Sequence, residues 1–126
     1  MSYALITGSC GLVGSESSIF FSKKGFKILG VDDNSRKYFF GKDGDISWIK
    51  QNLKKKIKNY IHFNTDITNY KSLEKIFKKY RSKISVIIHC AAQPSHDWAK
   101  KKIFEDFDVN ASGTLNLLEL TKLYCP

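Results

Sequence analysis

The sequence predicts an α/β fold in which a parallel sheet, wound on both faces by helices, ends after about four strands. Two observations predict it. Short apolar runs rich in β-branched residues alternate with longer stretches of helical periodicity. The 126 residues, 42% hydrophobic and 26% charged, also suffice for one buried core without a linker or an internal repeat. Strand–helix–strand alternation implies right-handed crossovers, hence parallel strands.

The first strand is read at Tyr3 to Thr7, an apolar run closed by Gly8. Leu12 to Lys24 has helical length and an apolar face of Val13, Ile19, Phe20 and Phe21, with Gly25 as its stop. Phe26 to Val31 is the second strand, ending at Asp32, and Tyr38-Phe39-Phe40-Gly41-Lys42 reads as part of a glycine-containing loop after it. Asp45 to Lys58 reads as a helix because Ile46, Ile49, Leu53 and Ile57, spaced 3, 4 and 4 apart, form one stripe. Asn59 to Phe63 is the third strand. Asn69 is placed to cap a helix carrying Leu73, Ile76, Phe77 and Tyr80, with Glu74 four positions before Lys78. Ile84 to Cys90 is the most apolar strand, and Phe107 to Tyr124 reads as one long final helix. A fourth strand with nothing after its helix has an open edge. Small doubly wound domains usually carry five strands, so the reading is a chain truncated relative to its relatives, or half of a split protein.

Chemistry concentrates in the turn between the first strand and the first helix. Gly8-Ser9-Cys10-Gly11-Leu12-Val13-Gly14 has Gly-x-x-Gly-x-x-Gly spacing, follows a strand and opens a helix. The first glycine permits the tight turn, the second lets backbone approach a pyrophosphate, and the third lets the helix lie close on the strand. Exposed amides at the helix start then meet an anion, helped by the helix dipole. Asp32, eighteen positions after Gly14, ends the second strand, where its carboxylate can accept from an adenosine ribose and repel a 2′-phosphate. That favours NAD over NADP; Arg36, just past the strand, is the residue that could argue the other way. The expectation is a Rossmann-type dinucleotide-binding domain over residues 1–126.

Two further loops lie at strand ends on the same rim. Asp66-Ile67 follows the third strand, where Asp66 could accept from adenine and Ile67 pack on its ring, or Asp66 could simply cap a turn. His89-Cys90-Ala91-Ala92-Gln93 follows the fourth, and its small alanines allow a cofactor to pass close to backbone. His89 alone reads as a satisfied core histidine rather than a catalyst.

Bulk properties exclude several classes. No apolar run approaches the ~20 residues of a membrane span, and the first seven residues show no basic leader or cleavage site. Cys10, Cys90 and Cys125 are an odd count without metal spacing, which fits unpaired thiols in a reducing cytosol. The net charge of +9 comes from lysines in helix-like stretches (Lys54-Lys55-Lys56-Lys58, Lys78-Lys79, Lys100-Lys101-Lys102). Without interleaved aromatics these read as solvated faces, so no nucleic-acid partner is expected.

Together with Asp66-Ile67 and His89-Cys90-Ala91-Ala92, the glycine loop and Asn110-x-x-Gly113-Thr114-x-Asn116 resemble the extended short-chain dehydrogenase/reductases, the NAD-dependent nucleotide-sugar epimerases and dehydratases. Asp32-Asp33-Asn34-Ser35-Arg36, Phe39-Phe40-Gly41, Ala91-Ala92-Gln93-Pro94-Ser95-His96-Asp97 and Asp106 to Glu119 are most similar to the CDP-paratose (tyvelose) 2-epimerase branch, which implies a CDP-sugar substrate used in surface-polysaccharide synthesis.

The resemblance implies that Gly8, Gly11 and Gly14 hold the pyrophosphate with amides and packing from Leu12 and Val13. It places Asp32, Asn34, Ser35 and Arg36 around the adenosine ribose, Asp66 and Ile67 beside adenine, and Ala91, Ala92 and Gln93 on the nicotinamide side. It makes Asn110 structural, and leaves Ser95 and His96 between the sugar and loop support. It implies dimerisation through the 109–124 helix, and inversion of a sugar carbon by transient oxidation with bound NAD. The family's base is a tyrosine with a lysine four residues later on one helical turn. The only such spacing here, Tyr38 to Lys42, lies in a glycine-containing loop at the adenosine end, so it is not expected to be catalytic, and the chain alone is expected to bind cofactor without turning substrate over.

Overall fold

A computed structural model describes residues 2–126. Four strands, β1 (Tyr3–Thr7), β2 (Lys27–Val31), β3 (Tyr60–Phe63) and β4 (Ile84–His89), form one parallel sheet in the order β3-β2-β1-β4. The order reverses beside β1, which puts the carboxyl ends of β1, β2 and β4 around one crevice, the place where open α/β sheets bind ligands. β4 pairs with β1 on one side only, and its Val86, Ile87 and Ile88 stay half-buried despite being the most apolar run.

The sheet's two faces are covered separately. Ala4, Ile6 and Ile28 face α1 (Leu12–Lys23) and the helix Ser47–Lys56, with Ile46, Leu53 and Ile57 buried among them and Ile49 against them. Leu5, Leu29 and Val31 face the helix Tyr70–Tyr80, whose Leu73, Ile76, Phe77 and Tyr80 are all buried, and the carboxyl-terminal helix Gly113–Tyr124 through Leu117 and Leu120. Alternate residues of each strand thus serve opposite cores, as the two-residue period demands. A register shift between Tyr3 and Ala4 inserts Ser85 into β4, so Ile84 and Ile87 share one face while Val86 and Ile88 share the other.

Several elements differ from the sequence reading. In α1, Val13 and Phe20 are 65% and 53% exposed, and the buried positions are Gly14 and Ser18. The helix lies too close to the first loop for large side chains there, and Ser18 is made compatible by donating its hydroxyl to the Gly14 carbonyl. The stretch read as a loop after β2 contains α2 (Ser35–Phe40) and a 3₁₀ turn (Gly41–Gly44); the Ser47–Lys56 helix is therefore α3 and Tyr70–Tyr80 is α4. A short α5 (His96–Lys101), capped by the Ser95 hydroxyl accepting from the Trp98 N–H, follows the β4 loop.

The single long final helix is instead α6 (Ile103–Phe107), a π-helical turn (Asp108–Ser112) and α7 (Gly113–Tyr124). The widened turn falls where the Asn110 side chain is taken up by the β4 loop: its Oδ1 accepts the Gln93 N–H at 3.0 Å. No helix among the described residues is long and apolar enough to cross a membrane.

Candidate functional site

The strand ends enclose a cleft of about 770 Å³, within the range of small-molecule sites. Its floor is the glycine loop. Gly8 adopts φ 63°, a left-handed conformation, and its N–H donates to the Val31 carbonyl at 2.8 Å, tying the loop to the end of β2.

The three glycines are not equivalent. A Cβ on Gly14 would lie 1.9 Å from the Gly8 carbonyl oxygen, and one on Gly8 would lie 2.8 Å from the Ala91 nitrogen, so both are demanded by packing. A Cβ on Gly11 would meet only the Gly8 oxygen, at 3.3 Å; this glycine instead leaves room on the cleft side. Ser15 donates to the Gly11 carbonyl as the first turn of α1 closes, so the N–H groups of Leu12, Val13 and Gly14 precede the helical ladder and are available to an anion. A diphosphate fits that cradle.

Asp32 is fixed at both oxygens. Its Oδ2 accepts the Cys10 N–H at 3.1 Å, and its Oδ1 accepts the Asn34 N–H at 2.9 Å. Each oxygen retains a lone pair, so two ribose hydroxyls can still be received. Cys10 is fully buried beside this carboxylate; burial, and then the Asp32 charge, push its thiol up to about 11.

The other predicted ribose residues serve the loop. Asn34, at φ 63°, donates its amide to Asp45 Oδ1 at 2.8 Å and accepts the Ile46 N–H at 3.1 Å. Asn34 and Ser47 together hold the Asp45 carboxyl down, to about 2. Ser35 donates its N–H (3.0 Å) and its hydroxyl to Asp33 Oδ1. Burial pushes the Asp33 carboxyl up against those bonds. Arg36 is exposed at the cleft lip with its guanidinium over the Phe40 ring, 5.5 Å from the centroid.

Asp66 lines the cleft, and its Oδ1 accepts from the Thr68 N–H and hydroxyl at 2.9 and 2.8 Å, the turn-capping arrangement. Ile67 is buried against α7, where a Cβ on Gly113 would come within 2.5 Å of its Cδ1, and Asn116 donates to its carbonyl at 2.9 Å. Gly113 and Asn116 therefore seat one wall of the cleft from behind.

On the opposite wall, Ala91 and Ala92 line the cleft, and Thr7 holds the backbone that leads into them. Its hydroxyl oxygen accepts the N–H groups of Cys90 and Ala91 at 3.1 and 3.2 Å, so its own proton goes to His89 Nδ1 at 2.6 Å. His89 Nε2 then donates to Thr114 (3.0 Å), which donates to the Asn110 carbonyl (2.6 Å). Both ring nitrogens are occupied, and desolvation pushes the imidazole down. His89 is a structural relay.

Of the fourteen predicted site residues, thirteen line this cleft and Gln93 does not. Its side chain is 9% exposed and turned into its own loop, donating to the Ser95 carbonyl and to Asp106 Oδ1, both at 2.9 Å, and accepting the Ser95 N–H. A primary amide at a loop closure satisfies several backbone groups at once, which its position in the sequence could not distinguish from a ligand contact. Ser95 caps α5, and His96 is exposed outside the cleft lining.

The sequence reading missed how far α2 reaches across the cleft. Tyr38 and Phe39 line it, and both pack on Trp98 of α5, with ring centroids 5.3 and 5.7 Å apart. Trp98 Nε1 also donates to the Phe39 carbonyl at 3.4 Å. Tyr38 thus stands at a junction between the lips rather than at the adenosine end alone. Lys42 is not in the cleft lining, and Gly41 between them adopts φ 71°, so the two are not one helical turn. The recoverable signal was two aromatic groups, Tyr38-Phe39 and Trp98, each flanking a cofactor loop and needing an apolar partner.

Residues 4–125 match the model of the NAD dependent epimerase/dehydratase family. The chain belongs to this family. NAD is the family's cofactor, and the glycine loop and Asp32 line one cleft at the strand ends. Over 122 residues the epimerase-family chain is 37% identical to a UDP-glucuronate 4-epimerase of Thermodesulfobacterium geofontis, covering 97% of this chain and 36% of that protein. It is 30% identical over 120 residues to the CDP-paratose 2-epimerase of Salmonella typhi, covering 95% and 32%.

The fold is that of the UDP-glucose 4-epimerase from Bifidobacterium longum solved with NAD⁺ and UDP (TM-score 0.79, 21% identity, 98% of this chain and 34% of that one). A UDP-glucose 4-epimerase from Stenotrophomonas maltophila with bound NAD gives 0.77 at 20% identity, covering 97% and 34%. The chain spans about a third of the length of the relatives it matches.

Proposed function

We propose that this chain is the NAD-binding portion of a nucleotide-sugar epimerase, with the glycine loop holding the pyrophosphate and Asp32 the adenosine ribose. One observation carries the reading: Gly11, the free amides of α1, Asp32, Asp66 and Ala91-Ala92 line a single cleft at the carboxyl ends of parallel strands. Bound NAD supplies reversible hydride acceptance, the chemistry that inversion at a sugar carbon by transient oxidation needs. The chain's own residues bind and orient: α1 neutralises the diphosphate, the β3–α4 loop walls the adenine, and the alanines after β4 let the nicotinamide half lie along backbone. Asp32 favours NAD over NADP by repelling a 2′-phosphate.

The substrate is read as a nucleoside-diphosphate sugar, handled in the cytosol, where three free thiols persist. The motifs around Asp32 and Ala91 support a CDP-paratose 2-epimerase-like activity. The higher identity to the UDP-glucuronate 4-epimerase supports inversion at C4 of a UDP-sugar instead, and that reading is preferred here. Tyr38 and Lys42 do not form the proton-transfer pair, so the chain by itself is proposed to bind the cofactor without epimerising. Dimerisation through α7, whose Leu115, Leu118 and Leu123 are exposed, belongs to the same proposal.

Calorimetric titration with NAD and NADP tests the cofactor. Saturable binding with NAD the tighter ligand is expected; no binding of either to folded protein would overturn the reading. Incubation with NAD and UDP-glucuronate or CDP-paratose should give no product from this chain alone, and turnover of either would refute the binding-only role.

A further inference from the structure

Behind the glycine loop, outside the cleft lining, a second set of polar side chains joins the same two segments that Cys10 and Asp32 join. Tyr60 on β3 is buried, and its hydroxyl lies 2.9 Å from Ser9 Oγ and 2.9 Å from His62 Nδ1. His62 Nε2 lies 3.1 Å from the Asp32 carbonyl oxygen.

A carbonyl only accepts, so Nε2 carries the proton of the neutral ring and Nδ1 accepts. Tyr60 therefore donates to His62, and its oxygen receives the Ser9 hydroxyl proton. The direction of every bond is fixed: Ser9 to Tyr60, Tyr60 to His62, His62 to the Asp32 main chain. The Cys10 N–H donating to Asp32 Oδ2 closes this path into a ring of hydrogen bonds.

The sequence makes room for it. A Cβ on Gly30 would lie 2.1 Å from the Tyr60 hydroxyl oxygen, so glycine at this position in β2 is what admits the phenol beneath the loop. Burying a phenol and a hydroxyl, and half-burying an imidazole, costs desolvation that apolar side chains of similar size would avoid. Orientation is what such a chain gives in return. Neither Tyr60 nor His62 lines the cleft. One end of the chain sits in the pyrophosphate loop and the other on the residue whose carboxylate receives the ribose.

We propose that Tyr60 and His62 are positioning residues for the cofactor, holding the phosphate cradle and the ribose acid at the separation a dinucleotide requires. The proposal rests on the NAD reading above. Its signature is selective: ligands that span Ser9's loop and Asp32 depend on the separation, while a ligand touching only the ribose acid does not.

The experiment compares ADP, NAD and adenosine binding to the wild-type chain and to Tyr60→Phe, His62→Leu and His62→Gln, each checked for native circular dichroism. Tyr60→Phe and His62→Leu should weaken ADP and NAD about tenfold, the equivalent of one hydrogen bond, and change adenosine less than about twofold. The glutamine of His62→Gln can accept from Tyr60 and donate to the Asp32 carbonyl, so it should restore ADP binding to within about threefold. Equal weakening of all three ligands, loss in proportion to lost thermal stability, or no weakening at all would each overturn the positioning role. If the wild-type chain binds no NAD or ADP, the functional reading fails and takes this inference with it; if the wild type binds and the variants match it, only this inference fails.

Discussion

The Cys10 N–H donates to Asp32 Oδ2 at 3.1 Å, so the acid that ends β2 is fastened to the glycine loop by the protein's own backbone. The same carboxylate accepts the Asn34 N–H through its other oxygen, so both oxygens are oriented by backbone donors. Replacing Asp32 with Ala removes both anchors and the ribose acceptor. NAD affinity should fall by about 1.5–3 kcal/mol, the range for hydrogen bonds to a charged group. The NAD:NADP affinity ratio should fall as well, because the repulsion of a 2′-phosphate is lost. Calorimetry with both cofactors checks this, and an unchanged ratio would argue against Asp32 as the discriminating residue.

Gly14→Ala and Gly11→Ala should fail differently. At Gly14 the added methyl would overlap backbone, the Gly8 oxygen at 1.9 Å, which cannot yield cheaply. We expect a loss of several kcal/mol and a large fall in the thermal midpoint. At Gly11 the nearest atom is 3.3 Å away, so the fold should survive while the methyl occupies space the diphosphate needs. Thermal denaturation combined with NAD titration separates the two, and a Gly11→Ala protein that binds normally would displace the pyrophosphate from this loop.

Trp98 joins the two lips of the cleft through Tyr38 and Phe39. Opening that junction should speed cofactor escape more than it alters the core, since Trp98 lies outside both buried clusters. Trp98→Ala is expected to raise the NAD dissociation rate about tenfold or more, as the loss of aromatic packing plus one hydrogen bond implies. Stopped-flow displacement measures it; an unchanged rate would mean the cofactor leaves by another path.

Stability should depend on pH through two histidines. Burial pushes both His62 and His89 below the ordinary value of 6.5, desolvation being the largest cause for His62, ahead of the Lys50 charge, and the one cause for His89. The unfolded chain then binds more protons than the folded one as pH falls below about 7, so the stabilisation is fully present above 6.5 and lost as pH drops through the folded values. Urea midpoints should fall between pH 7.5 and 5.5, and fall less in His62→Gln. An equal fall in both proteins would remove His62 from the account.

Thiol reactivity should follow burial. Cys10 is fully buried with its thiol pushed up to about 11, whereas Cys90 and Cys125, also pushed up by burial, are only half-buried. Iodoacetamide at neutral pH should label Cys90 and Cys125 before Cys10, read by peptide mass spectrometry; early labelling of Cys10 would show that the glycine loop opens on that timescale.

The sheet, the two-sided helical cover and the cleft's floor were legible in the residues alone. Those features are written locally: a stripe such as Leu73-Ile76-Phe77-Tyr80 can be buried in one way only, and Gly8-x-x-Gly11-x-x-Gly14 after a strand has one geometric use. Tertiary structure decided what depends on which side chains meet. It turned the Gln93 side chain into its own loop, because the amide could meet Ser95, two residues on, and Asp106, thirteen residues on, at once. It widened the final helix into a π turn around Asn110 and brought α2 to Trp98, contacts between residues 17 and 59 positions apart. It also buried Ser18 and Gly14 where the periodicity of α1 favoured Val13 and Phe20, since how closely a helix may approach a loop is set by the loop's backbone. Periodicity reports which face of an element is apolar; distance between elements exists only once they have packed.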